Sequence, residues 1–187
     1  YKDQGYEFDI KKIQKDLSEF IIDRLKNYLK DKEIRQDIIE SSLSYYGIDD
    51  LLKICKKSSY LNKNIKKDFV LDAVAIYKRS SNILNNEENV ISQLIGSADP
   101  GLFKNEYEKN LFKKIHEIRK YFSSIGKDEN YEQGLKTLSS AKIEVNDFFD
   151  NVIVNDEEEI IKKNRLELLK MLCKSFDNYF NFSKIEV

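Results

Sequence analysis

The chain has 187 residues, enough for one sizeable core or at most two small ones. Its 32 Lys and Arg against 33 Asp and Glu leave a net charge of −1, which excludes a general attraction for polyanions. No apolar run approaches the roughly 20 residues of a membrane span and no signal-peptide pattern is present, so a cytoplasmic protein without membrane association is expected. The chain opens on Tyr1 rather than Met, which points to a piece excised from something longer.

One Pro and six Gly leave few helix breakers, and the apolar spacing predicts an all-α chain. Residues 9–29 read as a first helix, with Ile13, Leu17, Phe20 or Ile21, Leu25 and Tyr28 recurring at three and four. A second runs over 31–43 with Ile34, Ile38 and Ile39 inward, and Gly47 ends it. A short third covers 48–57, followed by a polar loop over 58–64. The fourth, 65–85, carries Phe69, Ala73, Ile76 or Tyr77, Ser80 and Leu84 on one face. Residues 86–103 are the least regular, and Pro100 forbids a helix running through, though Ile91, Leu94 and Ile95 allow one turn. A fifth helix over 105–123 turns Tyr107, Leu111, Ile115, Ile118 and Phe122 inward. After a loop over 126–134, a sixth begins at Tyr131 or Gln133 and runs to Phe149. The last starts at Asp156 and reaches about Phe182. With no repeat and no Pro/Ser linker, the whole reads as a single helical bundle of about six or seven helices spanning 1–187, residues 1–64 leading into a core over 65–187.

Nothing in the sequence has the look of a catalytic centre. There is no phosphate-cradling glycine loop, no G-x-S-x-G and no H-E-x-x-H. His116 stands alone beside an apolar stripe, where packing explains it better than proton transfer. Cys55 and Cys173 sit in separate helical patterns without ligand spacing, so reduced thiols are expected and no metal site. The charge is segregated: residues 53–79 hold seven Lys and one Arg against two Asp, while 144–159 hold seven acids and no base. A basic zone on a neutral domain fits a local nucleic-acid contact, and equally a solvated helix surface.

The segment 143–172 is the most informative. The pair Phe148 and Phe149 precedes a short apolar run, Val152 to Val154, and then Asn155 can cap a helix whose first turn is crowded by the acids 156–159. In that helix Ile161, Leu168, Leu172, Phe176 and Phe180 share a stripe, and Arg165 falls on the same stripe. A guanidinium on the core side needs a carboxylate, a carbonyl or a phosphate. An internal ion pair is the plainer reading, with Asp150 its nearest partner in sequence; a ligand contact is the other.

This stretch, with Phe148-Phe149-Asp150, Val152, Val154 and Asn164-Arg165-Leu166, resembles the C-terminal region of the beta subunit of bacterial glycyl-tRNA synthetase, the two-subunit type. Phe20-Ile21-Ile22-Asp23-Arg24-Leu25 with Arg35-Gln36-Asp37-Ile38-Ile39, then Tyr77-Lys78-Arg79-Ser80-Ser81-Asn82-Ile83-Leu84, then Asp99-Pro100-Gly101-Leu102-Phe103 are similar to further blocks of that family in the same order. Ser80 departs from the pattern, standing where the family has an apolar residue.

The resemblance implies a DALR-type anticodon-binding bundle that is itself non-catalytic and grips the anticodon end of tRNA(Gly). The aminoacylation site is implied in an alpha subunit, the likeness suggesting an α2β2 tetramer; ATP and Mg2+ are implied for the whole enzyme and no cofactor for this piece. Lys78, Arg79 and Asn82 lie within a turn of one another on the fourth helix with small Ala75 one turn earlier, a spacing able to grip phosphate and read a base edge. The same residues also suit a helix C-terminus answering its dipole. Arg24 is either a second contact or a bridge between helices, and Arg165 completes the set. The competing reading is a helical subunit-assembly module with no direct RNA contact.

Overall fold

The computed structural model describes residues 9–44, 50–87, 90, 92–125, 130–177 and 179–187. Among them are eight α-helices and no strand: α1 (Ile10–Asp31), α2 (Gln36–Leu43), α3 (Leu51–Asn64), α4 (Asp68–Asn85), α5 (Glu106–Ser124), α6 (Tyr131–Ser139), α7 (Lys142–Asn151) and α8 (Glu159–Asp177). Two 3-10 turns, Pro100–Leu102 and Phe182–Lys184, complete the order. The all-α bundle expected from composition is therefore present.

Helix α8 is the axis of the core. Ile161, Leu166, Leu168, Leu169, Leu172 and Phe176 are all buried, because its apolar residues recur on more than one face. It lies against α4 and α5; α4 also packs on α6 and α7, and α5 on α7. Each fully buried Leu or Phe contributes about 1.5–3 kcal/mol, so this helix supplies much of the fold's stability. Beyond α8 the chain turns back over α2 and α4, sinking Phe180, Phe182 and Ile185 completely.

The helix starts are written in local chemistry. The side chains of Asp9, Asp50 and Asn130 each accept the backbone N–H three residues on. Asn105 and Glu108 form a reciprocal capping box at the start of α5. The irregular stretch before α5 is held by polar side chains of α8. Glu167 accepts the N–H groups of Ile95, Gly96 and Ser97, while Asn164 accepts from Asp99 N at 2.7 Å and donates to Asp99 O at 3.0 Å. Gly96 sits at φ +73°, a left-handed position that suits glycine.

Several boundaries differ from the spacing-based expectation. Residues 58–64 are helical rather than loop: Ser58 bonds its hydroxyl to the Ile54 carbonyl and Leu61 is fully buried, so packing overrides a polar composition. Helix α2 begins at Gln36 because Glu33 adopts φ 59° and breaks the chain direction. The expected sixth helix is two, α6 and α7, parted by a turn at Ser140 and Ala141. The last helix starts at Glu159 and ends at Asp177, with Phe182 in a separate turn. The placements assigned to Gly47, Ile48, Ile91 and Gly126 lie outside the described residues.

The largest difference is in α1. Leu25 and Leu29 are buried, but Ile13, Leu17, Phe20 and Tyr28, expected to face inward, are each half or more exposed. The helix meets the bundle only near its C-terminal end, beside α2. Its amphipathic stripe is real, yet no described residue covers the N-terminal half.

Candidate nucleic-acid interface

Helix α4 presents Ala75, Arg79 and Asn82 to solvent, with Lys78 half-buried beside them. The two basic neighbours leave the helix toward different elements. Lys78 lines a cleft of about 570 Å³ with Arg35, Asp37 and Glu40 from the α2 region and Lys184 and Glu186 from the tail. Arg35 is already engaged there, donating to Asp37 at 2.8 Å and to the Glu186 carbonyl, so Lys78 and Lys184 are the cations left to face a ligand. Arg79 turns instead to α7. Its guanidinium lies 4.4 Å over the Phe149 ring, donates to Asn146 at 3.3 Å and stands 3.6 Å from Asp150. Asp150, expected to serve Arg165, thus serves Arg79. Asn82 is exposed near the end of α4, one turn beyond.

Arg24 is exposed on α1, next to buried Leu25, with its guanidinium 5.1 Å from the Phe20 ring centroid. Among the described residues it shares no hydrogen bond, ion pair or cleft lining with Lys78, Arg79 or Asn82.

Arg165 has the internal pairing that its position on the core stripe called for, with other partners. Its Nε donates to Glu108 at 2.7 Å, and Nη1 donates both to the Ile153 carbonyl at 2.9 Å and to Asp156. The side chain is 6% exposed and that of Glu108 1%. Glu108 also accepts the N–H groups of Lys104 and Asn105 as part of the capping box. Asp156 is held below the usual carboxylate range first by the Glu158 N–H and then by Arg165. This guanidinium is consumed in joining α5, α8 and the 152–156 connection. Buried and bonded through Nε and Nη1, Arg165 serves the core, the plainer of the two readings its stripe allowed.

A second surface escaped the reading of the sequence. On the α3–α6 side, Cys55, Lys56, Ser59, Tyr60 and Lys63 of α3 meet Tyr131 of α6 around an open groove of about 490 Å³. The rings of Tyr60 and Tyr131 are 5.7 Å apart at 39°. Lys56 and Lys63 are exposed and form no salt bridge among the described residues. Burial, and then the Glu132 carboxylate, push the Tyr60 phenol upward, so it stays neutral at physiological pH. Glu132 itself is bonded to Lys136 at 2.6 Å. The basic surplus over 53–79 signalled part of this; the tyrosines did not, since aromatic residues on a helical period read as core.

The groove and the Lys78 cleft share no lining residue, so the basic zone divides into two surfaces. Cys173 is buried, which pushes its thiol up to about 12 and removes it from nucleophilic chemistry. No group of three or more His, Cys, Asp or Glu able to hold a metal ion occurs among the described residues, and no described helix is long and apolar enough to cross a membrane.

The described residues form an all-helical bundle with basic surfaces beside α4 and between α3 and α6. Residues 74–187 match the family model of the DALR anticodon binding domain, and the chain belongs to that family. It is 34% identical over 167 residues to the glycine--tRNA ligase beta subunit of Rickettsia prowazekii (strain Madrid E), covering 89% of this chain and 24% of that protein. The beta subunit of Dinoroseobacter shibae (strain DSM 16493 / NCIMB 14021 / DFL 12) is 29% identical over 174 residues, 92% of this chain and 24% of the relative. The chain therefore spans about a quarter of the length of the curated relatives it matches. The likeness to the glycine enzyme's beta subunit, first seen in four short blocks, holds along most of the chain.

Proposed function

We propose that this chain is the tRNA-gripping part of a glycine–tRNA ligase beta subunit. It binds the anticodon end of tRNA(Gly) so that the acceptor end reaches a catalytic alpha subunit, where glycine, ATP and Mg2+ are used. The chain itself makes and breaks no covalent bond. The observation that carries this reading is the match of residues 74–187 to an anticodon-binding family, on a chain similar over nine-tenths of its length to beta subunits. Physical chemistry supplies the mechanism: an anticodon loop offers unstacked bases to hydrogen-bonding side chains and flanking phosphates to Lys and Arg. Lys78, in the cleft beside α2 and the tail, and exposed Asn82 are suited to those tasks, while Arg79 is engaged with α7.

One observation favours the other reading, a subunit-assembly module: the exposed apolar stripe of Ile10, Ile13, Leu17 and Phe20 on α1. Titrating the full-length protein with glycine tRNA at several salt concentrations separates the two. The expected result is affinity that falls as salt rises, with Lys78→Ala lowering the log–log slope by about 0.7. Absent or salt-independent binding, with association to the alpha subunit intact, would leave assembly as the function.

A further inference from the structure

We infer that the α3–α6 groove is a second RNA contact, taking one unstacked nucleobase against the Tyr60–Tyr131 wall and the phosphates on either side of it at Lys56 and Lys63. The inference rests on the tRNA-binding reading above and specifies a surface which that reading does not need.

Geometry brings the parts together. Lys56 and Lys63 are seven residues apart, two turns on one face of α3, and so stand about 10 Å apart along the helix. Tyr60 lies between them, one turn from each, and Tyr131 arrives from the start of α6 to touch its ring. The result is an aromatic surface flanked at both ends by an ammonium group, within a groove of about 490 Å³ that is open along its length. Aromatic faces accept any base, and Lys tracks the backbone, which is the pairing that single-stranded nucleic acid requires.

The surroundings favour the same occupant. Glu132, the acid beside Tyr60, is neutralised by Lys136. Lys66 and Lys67 lie exposed just beyond α3. The Tyr60 hydroxyl is itself buried, so what Tyr60 offers a ligand is its ring. Tyr131 is backed by Tyr179 at 6.4 Å, and Tyr179 is buried, so the aromatic wall is anchored in the core and pre-set for a ligand.

The test uses the full-length protein and a fluorescently labelled glycine tRNA transcript, read by anisotropy over a salt series. Lys56→Glu/Lys63→Glu alters only exposed side chains. It is expected to lower affinity tenfold or more and to flatten the log–log salt slope by about 1.4. Tyr60→Leu and Tyr131→Leu keep apolar packing but lose the ring, and each is expected to weaken binding roughly fivefold or more. Tyr60→Phe and Tyr131→Phe retain the ring and are expected to stay within about twofold of the parent. If the unsubstituted protein binds no tRNA, both this inference and the reading beneath it fall. If it binds and the double Glu variant binds equally well, the groove is not a contact while the reading stands. A loss in the Glu variant with folded Leu variants unchanged overturns the stacked base.

Discussion

Arg165 shows how a buried charge is made tolerable. Three acceptors from two parts of the chain, α5 and the connection before α8, meet one guanidinium, and Glu108 divides itself between that ion pair and the capping of α5. Replacing Arg165 by Met removes the cation and leaves a carboxylate almost without solvent in the core. Because two backbone N–H groups still satisfy Glu108, the expected loss is about 3 kcal/mol, the lower end for breaking a buried pair, measured by denaturant unfolding. Glu108→Gln/Arg165→Met should recover part of it, since neither partner then carries an unpaired charge. That Arg165 faces the core was legible from the phase of the Ile161–Leu168 stripe. Its partners were not: Glu108 lies 57 residues away, and Asp150, nearer in sequence, is drawn off by Arg79. Helical phase fixes which face a side chain occupies and leaves open what fills the space opposite.

Among the elements, α6 depends on having no side chain at one position. A Cβ at Gly134 would overlap the hydroxyl oxygen and ring of Tyr179, and Tyr179 is itself buried. Alanine is the better helix former by about 1 kcal/mol, yet here the overlap is with a ring fixed on several sides. Gly134→Ala is expected to destabilise by about 1–3 kcal/mol, read as a lowered denaturation midpoint with unchanged m-value. In the sequence this glycine read as the end of a loop, because glycine inside a helix is costly unless another chain segment needs the room. The helices with strict three-and-four spacing, α4, α5 and α8, were legible to within a few residues. The serine-rich half of α3 was not, since its helicity comes from Leu61 in the core rather than from its own composition.

For the whole molecule, the C-terminal tail joins the two halves of the bundle. The Asn181 N–H donates to the Ser41 carbonyl, the Glu186 N–H to Asp37, and Phe180, Phe182 and Ile185 fill the space between α2 and α4. Those three side chains together represent about 5–9 kcal/mol of burial, comparable with the entire stability of a typical domain. Deleting the residues after Asp177 is expected to abolish the cooperative thermal transition seen by circular dichroism, although helical signal persists. A tail of this kind reads in sequence as a fraying helix end; only the tertiary structure reveals what it bridges. The division of the basic zone between the α4 cleft and the α3–α6 groove was illegible for the same reason, as Tyr60 and Tyr131 meet only after folding.

Helix α1 is held at one end by Leu25 and Leu29, and from Leu25 to Ile10 it runs about 22 Å, with its N-terminal half exposed. Such a rod behaves as a lever. A tilt of about ten degrees at its seat sweeps its tip through about 4 Å, so a small repacking beside α2 is magnified into a displacement wide enough to make or break a contact.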